Sequence, residues 1–203
     1  PREAALVIAD LHLEKASFFA RAGQMLPPYD SRETLERVAL CLRETGARRV
    51  YALGDSFHDA RGPERLEPHA AGMLAALTRA VDWLWIAGNH DGEARGGMGG
   101  DWADEAVLAG IALRHEARPG ETGAEISGHF HPKIRLRARG QSLARRCFLM
   151  NADKLILPAF GVLTGGLDAG HPAIHAVMTG PVTALVPSGA RLLRFPVAAK
   201  AAA

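Results

Sequence analysis

The sequence has no apolar run near the roughly eighteen residues that a membrane-spanning helix requires, so no such helix is expected. Cysteine is scarce. Cys41 and Cys147 stand far apart in unlike contexts, which excludes a disulfide framework and argues against a cysteine-ligated metal; they read as free thiols of a reducing compartment. No basic segment followed by an apolar stretch stands at the start, so no secretory leader is expected and the expected location is the cytoplasm. Acidic residues are missing altogether between Ile126 and Ala152, where Lys133, Arg135, Arg137, Arg139, Arg145 and Arg146 all fall. Such a stretch is either a solvated hairpin face or a surface that meets phosphates. The remaining composition, 48% apolar and 23% charged over 203 residues with a net charge of +2, is that of an ordinary globular chain able to bury a core without staples. The length suits one domain, 1–203.

The first ninety residues read β-α-β-α-β. "ALVIA" (5–9) is a short apolar run that ends in polar residues, as a buried strand does. "RETLERVALCLRE" (32–44) spaces Leu35, Val38, Ala39 and Leu42 on one helical face, with Ser31 as the expected cap and Thr45-Gly46 as the stop. A second strand follows at 49–53, a helix from Pro63 to Ala80, and a third strand in "DWLWIAG". That order predicts a parallel sheet covered by helices, with Asp10, His12, Asp55, Asn89 and His90 along its carboxyl edge. After about residue 110 short strands dominate: "IALRH", "AEISG", "KIRLR", "RCFLM", "KLILP", "IHAVM", "VTALV" and "RLLRF". They predict antiparallel strands that extend or face the first sheet. "GEARGGMGGD" (92–101) is rich in glycine but lacks P-loop spacing and reads as a mobile loop; "AAKAAA" reads as a frayed end.

Four stretches carry the chemistry: "ADLHLEK" (9–15), "LGDSFHD" (53–59), "AGNHDG" (87–92) and "SGHFHPK" (127–133). Each stands at the end of an expected strand. Together they offer carboxylates, an amide oxygen and imidazoles, the mixed oxygen and nitrogen donors that hard and borderline divalent metals take. The glycine ahead of Asp55, Asn89 and His129 allows a tight turn and a close backbone approach. Any one of these pieces alone would be a turn cap or a hairpin loop. In this order they form a set that holds five of the nine histidines, His12, His58, His90, His129 and His131, and His115 ends another expected strand.

D-x-H, GD-x-x-H, GNHD, a single His and GH-x-H together resemble the calcineurin-like metallophosphoesterase superfamily. The resemblance runs from Asp10 to His131 and implies an α/β fold, a two-sheet β-sandwich flanked by helices in four layers, around a dinuclear metal centre. By that resemblance Asp10, His12 and His131 would hold the first metal, Asn89, His115 and His129 the second, and Asp55 both. His115 is assigned only because it ends an expected strand upstream of "GHFH". The blocks "LPPYDSRETL", "RRCF" and "LPAFGVLTGGLD" are further similar to the bacterial ligase-associated DNA damage response endonucleases, the PdeM family. That likeness implies an enzyme acting on DNA, alongside a DNA ligase, a helicase and an exonuclease, and favours Mn²⁺ over Fe or Zn²⁺. The superfamily's protein phosphatases have an Asp then an Arg where this sequence has His58, Asp59 and Ala60, which argues against phosphoprotein substrates.

A phosphodiester suits such a pair of metals. His90 follows Asn89 directly, so it is expected at the site's edge as the group that protonates the leaving oxygen, with Asp91 orienting it and His58 as a second candidate. Lys15, Arg135, Arg137, Arg145 and Arg146 are expected on flanking phosphates, and Tyr29 either against a base or in loop packing. Two other readings compete: a small-molecule phosphodiesterase or nucleotide pyrophosphatase on the same fold, and a metal-free protein-binding scaffold.

Overall fold

In the computed structural model the described residues are 3–92, 98–138 and 140–198. Strand β1 (Ala5–Ala9) leads into the short helix α1 (Lys15–Ala20) and the long helix α2 (Asp30–Thr45). Strand β2 (Arg49–Leu53), helices α3 (Gly62–Arg65) and α4 (Pro68–Ala80) and strand β3 (Asp82–Ile86) follow. Next come β4 (Asp101–Ala103), β5 (Glu105–Leu108), β6 (Ile111–Arg114) and β7 (Glu125–Ser127). A hairpin of β8 (Lys133–Ala138) and β9 (Gln141–Arg146), then β10 (Phe148–Met150), β11 (Lys154–Ile156), α5 (Pro172–Val177), β12 (Val182–Ser188) and β13 (Arg191–Val197) complete the described chain.

Strands β1 to β4 form a parallel sheet in sequence order. Its side chains alternate between two apolar cores, as the two-residue period of a strand requires. Ile8, Val50, Trp83 and Trp85 pack with Leu35 and Val38 of α2 and Leu74 of α4. The intervening Ala9, Leu53 and Ile86 pack with Leu113 of β6 and with Leu157. Leu113 belongs to the second sheet, of order β13-β12-β10-β11-β7-β6-β5, and Leu157 directly follows its strand β11. Its opposite face packs Leu149, Ile156 and Ala184 on Ile174 and Val177 of α5. The layers are therefore helices, sheet, sheet, helix, and the α/β sandwich expected from the sequence is present. No helix among the described residues is long and apolar enough to cross a membrane.

Several local expectations are corrected. The second sheet is mixed, since β7 runs parallel to both β6 and β11. "IHAVM" lies largely in α5 rather than in a strand, because Pro172 at the helix start and the His171 side chain, which accepts from Ala173 N–H, set a helix there. The expected helix from Pro63 to Ala80 is two helices, broken where Leu66 is extended and Pro68 opens a new turn capped by the Glu67 carboxylate. Ser31 does not cap α2, which starts at Asp30. Its hydroxyl accepts from Glu14 N–H and donates to Glu14 Oε1 instead. Gly46 does stop α2, in a left-handed turn whose N–H reaches Leu42 O. Residues 93–97 of the glycine-rich loop, Arg139 and residues 199–203 of the tail lie outside the described residues.

Candidate metal centre

The candidate residues arrive from the loops that follow β1, β2, β3 and β6 and from the turn after β7. Asp10 and Asp55 are almost wholly buried at 0% and 2% exposure. The turns that deliver them are strained. Five of the seven candidate ligands have positive φ: Asp10 (55°), His12 (44°), Asp55 (47°), His129 (69°) and His131 (46°). Left-handed backbone is uncommon for residues other than glycine, and such strain persists where the surroundings over-determine it, most often at functional sites. Glycines make the convergence sterically feasible. A Cβ on Gly54 would lie 2.2 Å from the His115 ring, one on Gly88 2.5 Å from Asp55 Oδ1, and one on Gly128 2.5 Å from Asp10 Oδ2. At Gly54 and Gly128 the room is taken by the side chain of a neighbouring candidate ligand, and at Gly88 by Asp55, whose backbone N would lie 2.2 Å from the added Cβ.

Two donor groups result, sharing Asp55. In the first, His131 Nε2 stands 3.3 Å from Asp10 Oδ1 and 3.2 Å from His12 Nε2, and His12 Nε2 stands 3.6 Å from Asp55 Oδ2. In the second, His115 Nε2 lies 2.9 Å from Asn89 Oδ1 and 3.5 Å from Asp55 Oδ1, and His129 Nδ1 lies 3.1 Å from both Asn89 Oδ1 and His115 Nε2. The two oxygens of Asp55 thus face separate groups.

The donor set fits divalent cations. His115 Nδ1 donates to Leu53 O at 3.1 Å, which leaves Nε2 facing the Asn89 and Asp55 oxygens. Acceptors aimed at one another at these distances need a positive charge among them. Asp10 and Asp55 are buried carboxylates with no Lys or Arg bridging to them among the described residues, and such anions are costly to bury without cationic partners. Burial, followed by the neighbouring His131, lowers the His12 pKa to about 2, and burial and then His115 lower that of His129. Both imidazoles are therefore neutral near pH 7, the form that binds metal.

His58 and His90 flank the first group from outside. His90 Nδ1 donates to His58 O at 2.9 Å, which turns Nε2 toward the centre, 3.9 Å from Asp55 Oδ2. His58 stacks on His90 with ring centroids 5.4 Å apart and is held from behind by Phe18 and Phe19. Burial, then Lys15, lowers the His58 pKa to about 4. Asp91 does not orient His90. Its buried carboxylate accepts from Ser56, Phe57 and Gly88 N–H at 2.8, 3.2 and 2.9 Å, tying the loop after β2 to the loop after β3.

The candidate phosphate contacts divide. Lys15 opens α1 beside the centre. Arg135 and Arg137 are exposed and, by the β8–β9 register, share a face with Lys133 and Arg146. Arg145 pairs with Ile134 and projects to the other face. Arg146 is committed differently from the expectation: its guanidinium donates to Ala159 O and Val162 O, both at 3.0 Å. Tyr29 is 67% exposed where α2 begins. Sequence reasoning missed Asp30 and read Ser31 only as a cap; they accept from Ala16 and Glu14 N–H and clamp the turn carrying the first candidate donors, and their sequence signal is the polar pair opening α2. It also missed the bidentate pair of Arg65 with Asp59, which Arg65 extends to Ser17.

No family model and no curated protein matches the chain. Solved structures do. The Pseudomonas putida nuclease MPE is 29% identical over 91% of this chain and 86% of its own, with a TM-score of 0.70. The E. coli phosphoesterase Yfce is 16% identical, with a TM-score of 0.43 over 89% of this chain and 87% of its own. The four-layer sandwich, the two donor groups sharing one carboxylate and the match to the Pseudomonas nuclease agree, and the chain has the calcineurin-like metallophosphoesterase fold.

Proposed function

We propose that this protein is a metal-dependent phosphodiesterase that cleaves DNA, a nuclease of the PdeM kind. The observation that carries the reading is the division of Asp55: one oxygen toward His12, the other toward His115. In this reading Asp10, His12 and His131 would hold one divalent cation, Asn89, His115 and His129 a second, and Asp55 would serve both, with residues 1–203 acting as one catalytic unit. Two such cations would supply an acidified water as nucleophile and a clamp on the phosphate oxygens. Mn²⁺ is the ion we propose, on the family likeness.

The chain's own groups do the rest. His115 is fixed in one tautomer by Leu53 O, and the buried Asp10 carboxylate is fixed by His129 N–H at 3.0 and 3.1 Å. His90 keeps its Nδ1 proton on His58 O, which aims Nε2 at the reacting phosphate; in its imidazolium form the ring would pass the Nε2 proton to the departing oxygen. The stack on His58 holds that ring in line. Lys15 and the exposed Arg135 and Arg137, which share one face of the hairpin, meet flanking phosphates. Location in the cytoplasm and work alongside a DNA ligase, helicase and exonuclease belong to the same proposal, by family likeness alone.

The test compares cleavage of a plasmid and of linear single strands with Mn²⁺ by the unaltered protein and by His90→Ala. The expected result is normal metal content with a turnover loss of about 10²- to 10⁴-fold. Loss of both metals in the variant would make His90 a ligand and overturn its assigned role. Arg145 points away from the face that carries Arg135 and Arg137, which leaves fewer cations for one DNA strand and favours the small-ester reading. That reading wins if a nucleotide ester is cleaved while DNA fails to bind at low salt.

A further inference from the structure

The block Pro158–Thr164 plays no part in the chemistry above, yet it lies directly under it. Phe160 N–H donates to Ala9 O at 2.8 Å and Gly161 N–H to Asp10 O at 3.2 Å, so this loop continues the open edge of β1 beneath a candidate ligand. Two guanidinium groups hold the same loop from its far side. Arg37, on α2, donates Nη1 to Phe160 O at 2.9 Å and lies over the Phe160 ring at 4.8 Å. Arg146, at the end of β9, takes Ala159 O and Val162 O. Both line a cavity of about 330 Å³ whose other walls include Val7, Ile8, Phe148, Leu157 and Pro187. No acidic side chain lines the cavity, and neither guanidinium has a carboxylate partner among the described residues. Both arginines are half-buried.

Two adjacent, half-buried cations without a counter-charge are unusual, because buried charges are normally paired. Burial, and second the neighbouring Arg37, lower the Arg146 pKa. Three bonds to carbonyls use three of the ten guanidinium N–H groups the pair possesses, leaving donors for an anion. Arginine forks match the oxygens of a phosphate, and the apolar walls match what a phosphate carries with it.

We propose that Arg37 and Arg146 form a second anion site, apart from the candidate metal centre, that takes a phosphate group borne on an apolar or aromatic body. The phosphate comes either from the backbone of a bound DNA strand or from a free nucleotide. The site stands on its own geometry and does not require the phosphodiesterase reading.

The experiment uses metal-loaded protein, unaltered and as Arg37→Ala, Arg37→Gln and Arg37→Lys, with melting temperatures confirming that each is folded. A short fluorescent DNA strand is titrated by anisotropy across a salt series, and dTMP by calorimetry. If a strand supplies the phosphate, Arg37→Ala and Arg37→Gln weaken strand binding about tenfold and reduce the salt slope by about 0.7. If a free nucleotide supplies it, the strand is unaffected and one dTMP binding event disappears in both variants. In either case Arg37→Lys retains part of the binding. Binding of both probes unchanged in both neutral variants, or absent from the unaltered protein, overturns the proposal. Hydrolysis of bis(4-nitrophenyl) phosphate with Mn²⁺ is expected to be near normal in all variants. Its absence from the unaltered protein would sink the phosphodiesterase reading and leave the anion site standing.

Discussion

Asp91 and Gly128 show how much of this centre rests on residues that would never touch a metal. Three backbone N–H groups on two loops converge on the Asp91 carboxylate. An orphaned buried donor costs about 1–3 kcal/mol, so Asp91→Ala is expected to lose at least about 2 kcal/mol in urea unfolding. Burial raises the Asp91 pKa against the pull of those donors. At Gly128 an added methyl would stand 2.7 Å from Ala9 Cβ and 2.5 Å from Asp10 Oδ2. Gly128→Ala is expected to destabilise the fold by about 1–3 kcal/mol and to abolish the rise in melting temperature on adding Mn²⁺. A fully metal-responsive Gly128→Ala protein would contradict the packing argument. Asp59 gives the pH dependence. Its hydrogen bond to Arg65, opposed by partial burial, lowers its pKa from 3.8. A depressed folded pKa stabilises above the unfolded value, so the pair contributes fully above pH 3.8 and loses its contribution as pH falls through the folded value. Arg65→Ala is accordingly expected to reduce stability at pH 7 and to flatten the acid limb of the stability profile.

Among the elements, β6, β7 and β11 are tied at one end by a compact charge network. Lys154 (7% exposed) and Arg114 (8%) both meet the buried Glu125, and Arg114 also meets Glu105 and Glu121. Arg114 immediately precedes His115, so the network also fixes the strand that delivers a candidate ligand. Removing one partner of a buried ion pair leaves an uncompensated charge, and Glu125→Ala is expected to cost about 3–5 kcal/mol in thermal or urea unfolding. A loss below about 1 kcal/mol would mean that water already screens these charges. This network was not legible in the sequence, because its members come from separate strands with no periodic signal. The parallel strands were legible: apolar runs ending in polar residues leave little choice, and Trp83, Trp85, Leu84 and Ile86 alternate as a strand buried on both faces must. "IHAVM" failed for the converse reason. Five residues without polar alternation fit helix or strand equally, and Pro172 with His171 decided for helix. The residues that converge on one edge were legible as a group, His115 included, because each closely follows the end of a strand. The role given to Asp91 was not, since proximity in sequence to His90 says nothing of which amides its carboxylate reaches across the fold.

At the scale of the molecule, two sheets pack face to face so that loops from both meet at one edge. Asp10, Asp55 and Asn89 come from the first sheet; His115, His129 and His131 come from the second. Neither sheet alone assembles either donor group. Metal binding and sandwich stability are therefore expected to be linked: an ion bound only when both sheets are docked stabilises their docking. The claim beneath all of this is that one carboxylate serves two cations. Metal analysis of protein purified without chelators, beside Asp55→Ala, tests it most directly. About two divalent ions per chain are expected in the unaltered protein, with both sites weakened in a variant that still folds. A single ion in the unaltered protein, or two ions retained at full affinity by Asp55→Ala, would contradict it.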